Sequence, residues 1–208
     1  MSVKSVKIEY IIMKNTIENS LQKAISYQEY RDLVTTLIEE GKSTGTEQSQ
    51  DLLEYSALNN QRMKRLDKTI KLIEETVAKI INLKKPQTWL VLTESWCGDA
   101  AQTMPVINKI ASESEKIDLK IVLRDDNDEL MNHFLTNGGK SIPKLIALNS
   151  KNEVINSWGP RPEIATKMVI DYKEKNGSLD ADFKQDLQIW YNKDKGKSTQ
   201  KDLLEILK

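Results

Sequence analysis

Apolar and polar positions along the chain change rhythm twice. From Asn15 to Leu83 the apolar residues recur at steps of three and four, the spacing of a helix with one buried face. Ile17, Leu21, Ala24 and Ile25 share one face of a short first helix. Ser26-Tyr27-Gln28-Glu29 has the form of a capping box, in which serine and glutamate side chains satisfy each other's backbone N–H groups. It opens a second helix carrying Tyr30, Leu33, Val34, Leu37 and Ile38, which Gly41 stops. A polar loop over 42–48 follows, then a long helix over 49–83, on the order of 50 Å if unbroken at ~1.5 Å per residue. Its stripe is Asn59, Met63, Leu66, Ile70, Ile73, Val77 and Ile80. Such a stripe can pair with a partner chain as a coiled coil. We favour packing within the chain, because so short a heptad run usually serves an intramolecular core.

Past Lys84-Lys85-Pro86 the rhythm changes. Trp89-Leu90-Val91-Leu92 is a continuous β-prone run that predicts a buried strand. Helical spacing returns with Ala101, Met104, Val106, Ile107, Ile110 and Ala111. A second strand is expected over 118–123, then a short helix ending near Leu135 and a turn at Gly138-Gly139. Strands over 144–148 and 153–157, joined by a tight polar turn, make an antiparallel hairpin. Trp158-Gly159-Pro160-Arg161-Pro162 leads into a helix through Lys175, with proline tolerated in the first turn. The order is βαβαββα, an α/β core. Two further helices in 178–208, around Leu187, Ile189, Trp190 and Leu203, Leu204, Ile206, Leu207, read as packing additions. The expected division is a helical extension over 1–84, the core over 85–176 and a helical addition over 177–208. Residues 1–13 carry two readings. Ile8, Tyr10 and Ile12 alternate as in a strand, and Met13 equally reads as a natural start behind an upstream in-frame addition.

Composition narrows the partners. Lys+Arg and Asp+Glu are both 31 in 208 residues, so net charge points to neither nucleic acid nor membrane. No apolar stretch approaches the ~20 residues of a membrane helix, and Glu9 interrupts the only stretch that resembles a leader. A cytoplasmic protein is expected. One cysteine and one histidine leave no basis for an internal disulfide or a zinc site, and no cofactor is expected. Arg62, Lys64, Arg65 and Lys68 form a basic turn, read as a solvated face balanced by Asp67, Glu74 and Glu75, with an anion site as the alternative. His133 reads as a surface residue of a short helix.

The candidate chemistry lies in Thr93-Glu94-Ser95-Trp96-Cys97-Gly98-Asp99-Ala100. Cys97 falls where a strand ends and a helix begins, and there unpaired N–H groups and the helix dipole favour a thiolate. A thiol pKa moderately below the ~8.5 of free cysteine is expected, since Glu94 and Asp99 oppose a nearby negative charge. Asp99 either caps the helix or accepts the thiol proton. Trp96 is expected half-exposed, where it could contact an incoming ligand. The alternative for Cys97 is a small buried hydrophobe.

Trp-Cys-Gly at a strand-to-helix junction resembles the active-site segment of thioredoxin-fold proteins. Pro105, eight residues past Cys97, matches the proline that kinks their active-site helix. Ser141-Ile142-Pro143-Lys144 through Leu148 is similar to their cis-proline segment entering the next strand. The resemblance covers roughly 85–176, and the nearest type is the bacterial thioredoxin-like protein with Trp-Cys-Gly-Asp-Ala and an N-terminal helical extension. It implies catalytic roles for Cys97, Asp99 and Glu94, and a substrate groove at Trp96, Gly98, Ile142 and Pro143. It also implies a cis Ile142–Pro143 bond facing the thiol, leaving the Ile142 backbone free to pair with an extended ligand. Two departures matter. Ala100 stands where the resolving cysteine would be, and Val91 where a buried carboxylate would be.

The leading expectation is therefore monothiol thiol–disulfide exchange or redox-linked binding, with a protein or low-molecular-weight thiol or disulfide as partner. The alternative is a non-catalytic interaction module on the same fold. A peroxidase reading is weaker, because neither Thr93 nor Ser95 is evidently paired with an arginine. Monomer and homodimer are both open.

Overall fold

The computed structural model describes residues 3–207. A four-stranded sheet in the order β2-β1-β3-β4 is built from β1 (Gln87–Thr93), β2 (Ile117–Leu123), β3 (Lys144–Leu148) and β4 (Val154–Trp158). β1 and β2 are parallel, joined by α5 (Gly98–Ser112), while β3 runs antiparallel to both β1 and β4. Between β2 and β3 lies α6 (Asp128–His133), and α7 (Glu163–Asn176) follows β4, which completes the expected βαβαββα order. The near-continuous burial of β1 and β3 means that both sheet faces are covered; β4 alternates between half-buried and exposed, as an edge strand does.

The N-terminal region forms α1 (Val3–Lys23), α2 (Tyr27–Glu39), α3 (Gln50–Thr69) and α4 (Glu74–Asn82). The Ser26/Glu29 capping box opens α2 as expected, with both reciprocal bonds present. Two expectations need correction. Ile8, Tyr10 and Ile12 lie on α1 and are exposed, so the strand reading of that stretch fails. The residue that does reach the sheet is Ile25, whose backbone pairs with Ile121 in both directions (2.9 and 2.8 Å) and covers the edge of β2. The long helix over 49–83 breaks after Thr69, because Ile70 turns to extended backbone (φ −62°, ψ 129°). Gln200 fills the gap from the far end of the chain. Its amide accepts from Ile73 N–H at 2.8 Å and donates to Lys71 O at 3.0 Å. A distant residue therefore ends the helix, and periodicity within 49–83 carries no sign of it.

Most of the α3–α4 stripe is nonetheless buried within the chain. Asn59, Met63, Leu66, Ile70 and Ile80 are buried; Val77 is exposed. α3 packs against α5. The C-terminal helices are α8 (Ala181–Asp194) and α9 (Lys197–Leu203). Leu203, Ile206 and Leu207 join the main core, while Phe183, Leu187 and Tyr191 of α8 form a smaller cluster with Ala165 and Val169 of α7. Among the described residues no helix is long and apolar enough to cross a membrane.

Candidate functional site

β1 ends at Thr93 and α5 starts at Gly98, which leaves Cys97 as the N-cap residue with extended backbone (φ −78°, ψ 114°). Its sulfur does what a serine oxygen does at other caps, accepting the Ala100 N–H at 3.4 Å. The antiparallel pairing of β3 with β1 brings the segment before Lys144 to the same end of the sheet, where the Ile142–Pro143 peptide bond is cis. Cys97 Sγ donates to Ile142 O at 3.2 Å, so that carbonyl is occupied, against the expectation of a free backbone there. Gly159 (φ 119°) secures the arrangement from β4, since a Cβ there would collide with the Pro143 carbonyl.

The thiol is only 9% exposed. Burial pushes its pKa up to about 12, with the Asp99 charge adding to the rise against the N–H groups of Ala100 and Asp99. The expected depression is thus reversed. The helix terminus does favour the thiolate, but it is a smaller influence than desolvation of the sulfur.

Asp99, in the first turn of α5, neither caps the helix nor bonds the thiol. Its carboxylate receives Arg161 at 2.8 Å and the Tyr191 hydroxyl at 2.9 Å. Burial raises its pKa against the pull of Arg161 and Tyr191. Tyr191 belongs to α8, and Gln188 on the same helix accepts from Gln102 of α5 at 2.8 Å. α8 therefore covers the open end of the thiol loop, which corrects its reading as a mere packing addition.

The other flank is held by the N-terminal region. Ser95 Oγ accepts from the Thr44 N–H and hydroxyl (both 3.1 Å) and shares a 2.7 Å bond with Ser56 Oγ. Ser95 N–H donates to Thr44 Oγ1 at 2.7 Å, and Asn59 Nδ2 donates to Ser95 O at 2.9 Å. Glu94 is fully buried; one oxygen accepts from Asp125 N–H at 2.9 Å and the other has no hydrogen-bond partner. Burial pushes the Glu94 carboxyl up to about 7. Gly45 (φ 90°) lets its loop lie against Asp125, where a Cβ would collide with the carboxylate. Trp96 is half-buried, with Arg124 over its ring at 4.8 Å.

Trp96, Gly98 and Asp99 open onto a cleft of about 560 Å³ between α3 and α8, which Tyr55, Arg62, Arg161 and Phe183 also line. A strand-to-helix loop with a capping thiol, an Ile-Pro segment across from it and a βαβαββα sheet is an arrangement that a family can be recognised by. The Thioredoxin family profile matches residues 45–174, more than half of the sequence. The chain belongs to the thioredoxin family. Two solved structures share the fold, each with a TM-score of 0.55 over 88% of this chain: an HIV epitope scaffold (15% identity, 98% of its chain covered) and a protein of unknown function from Pseudomonas aeruginosa (16% identity, 97% covered). No curated protein sequence matches.

Within that family the departures are concrete. Ala100 is buried against the thiol, and Val91 is fully buried on β1 with no acid in its place. Cys97, Trp96, Gly98, Asp99, Ile142 and Pro143 converge on one end of the sheet; Glu94 lies on the flank toward Thr44 and Asp125. Sequence reasoning missed Thr44, Ser56 and Tyr191, and favoured a solvated face for Arg62, which lines the cleft. Asn59 was the available signal: an amide in an otherwise apolar stripe needs a buried partner. His133 is exposed on α6, as expected.

Proposed function

We propose that this thioredoxin-family protein binds a thiol- or disulfide-bearing ligand at Cys97 and exchanges through that single thiol. The observation that carries this is the placement of Sγ at the head of α5, between the Ala100 N–H and the Ile142 carbonyl, next to the cleft. In this reading Sγ attacks one sulfur of a disulfide. The ligand's S–S bond breaks, a new one joins half of it to Cys97, and the other half leaves as a thiol carrying the Cys97 proton. An external thiol then attacks the mixed disulfide, because Ala100 provides no internal one. The setting that suits a lone thiol is the reducing cytoplasm. The test is intact-mass detection of one mixed disulfide on the folded protein, reversed by added thiol. Rapid insulin reduction with thioredoxin reductase as sole electron source would sink the single-thiol reading.

A second reading, a non-catalytic interaction module, is favoured by the raised thiol pKa and the occupied Ile142 carbonyl. A Cys97 that resists alkylation at every pH in the folded state would make this second reading the correct one.

A further inference from the structure

The cleft beside the thiol has a charge imbalance. Asp99 is the only acid among its lining residues, and Arg161 already holds it at 2.8 Å. Arg62, half-buried on α3, has no carboxylate partner: among the described residues its one hydrogen bond is to the neutral Asn59 Oδ1 at 2.9 Å. Arg161 keeps a buried Nε with no partner. Lys184 adds a third cation at the exposed rim. Apart from Gln185 and Gln188, the rest of the wall is mostly apolar or aromatic, with Trp96, Tyr55 and Phe183 among it. A guanidinium out of bulk water with unused donors is costly unless an anion completes it, and its fork matches a carboxylate. The volume is that of a small-molecule site.

We propose that the cleft takes a small carboxylate-bearing thiol or disulfide, with Arg62 receiving the carboxylate and the aromatic wall holding its carbon chain. This rests on the exchange reading above and specifies its ligand. The basic turn is then divided: Arg62 serves the cleft, whereas Lys64 and Lys68 are solvated. The exchange step is unchanged, one S–S bond broken and one formed at Cys97, with the departing half carrying a carboxylate.

Three disulfides of similar size make the test: 3,3′-dithiodipropionate (anionic), 2-hydroxyethyl disulfide (neutral) and cystamine (cationic). The rate of Cys97 modification by each is divided by its rate with the chain unfolded in denaturant, which removes intrinsic reactivity. The anionic probe should lead the neutral one by about tenfold or more, with cystamine slowest, and Arg62→Gln should remove most of that lead. Lys184→Gln, on the exposed rim, should cut it about twofold and keeps the test available if Arg62→Gln fails to fold. Equal normalised rates, or a lead that survives both substitutions, overturns the proposal. If no probe modifies Cys97, the exchange reading fails instead. Calorimetric titration of Cys97→Ser with dithiodipropionate then decides: saturable binding weakened by Arg62→Gln supports the anion site, and absence of binding overturns it.

Discussion

The two flanks of the Cys97 loop are held by opposite kinds of chemistry. Toward the N-terminal region, Ser95 is fixed by Thr44, Ser56 and Asn59 through short, neutral, buried hydrogen bonds. Toward the C-terminal helices, Asp99 is fixed by an ion pair with Arg161 and by the Tyr191 hydroxyl. A neutral network is insensitive to salt and has few alternative partners, so it sets the backbone of the loop. An ion pair at the mouth of a cleft can be exchanged for a ligand's charge, so it is suited to opening. The difference teaches that the first flank sets the loop's backbone, whereas the second is the one whose contacts a ligand's charge can compete for.

Breaking the scaffold flank should have the largest effect. Ser95→Ala removes one oxygen that accepts from Thr44 N–H and Thr44 O–H and shares a bond with Ser56 Oγ, leaving buried polar groups without partners. Each orphaned group costs ~1–3 kcal/mol, so a stability loss of about 2–4 kcal/mol in urea denaturation is expected. A loss below half a kcal/mol would mean that water replaces the hydroxyl and that the flank is not a scaffold.

Glu94 is the exception on the neutral side, and pH reveals it. Its carboxyl, ordinarily near 4.3, is raised to about 7, so the folded protein holds an extra proton between those values. Stability conferred by the protonated form is complete below ~4.3 and is lost as pH rises through about 7. Glu94→Gln keeps an acceptor for Asp125 N–H and removes the titration. It should therefore match the wild type near pH 4 and exceed it by roughly 2–3 kcal/mol at pH 8. Asp99, raised in the same direction, leaves a residual slope in the variant. Thermal melts across pH 4–8 check this, and an unchanged pH profile would contradict it.

The legibility of the molecule divides along similar lines. The strand, the Cys97 cap, Pro105 and the Ile142-Pro143 segment were readable because each is a local signal: a β-prone run, a change of period, a proline at a set distance. The break after Thr69 was not readable, because Gln200 supplies the bonds that end the helix there. Nor was the role of α8, since nothing near Tyr191 announces a contact with Asp99 across 92 positions of sequence. The thiol pKa was misjudged because sequence reveals a helix terminus but not how deeply the cap is buried. At this site burial is the dominant influence.

The smallest predicted effect isolates the charged flank. The Asp99 charge stands second to burial among the causes that raise the Cys97 pKa. Asp99→Asn keeps a group of the same shape against Tyr191 and removes that charge, so the thiol pKa should fall while the burial contribution remains. Arg161, freed from its carboxylate, would also lie closer in charge to the thiolate, which acts in the same direction. Alkylation by iodoacetamide at pH 8 should speed up on the order of two- to tenfold, since the thiolate fraction rises tenfold for each unit of pKa lost well below the midpoint. Ser95→Ala, on the opposite flank, provides the contrast, because it alters no charge near the sulfur. If Asp99→Asn alkylates no faster than the wild type, burial alone governs the thiol and the Asp99 charge has no influence on it. If Ser95→Ala speeds alkylation equally, loop mobility explains both variants and the distinction between the two flanks collapses.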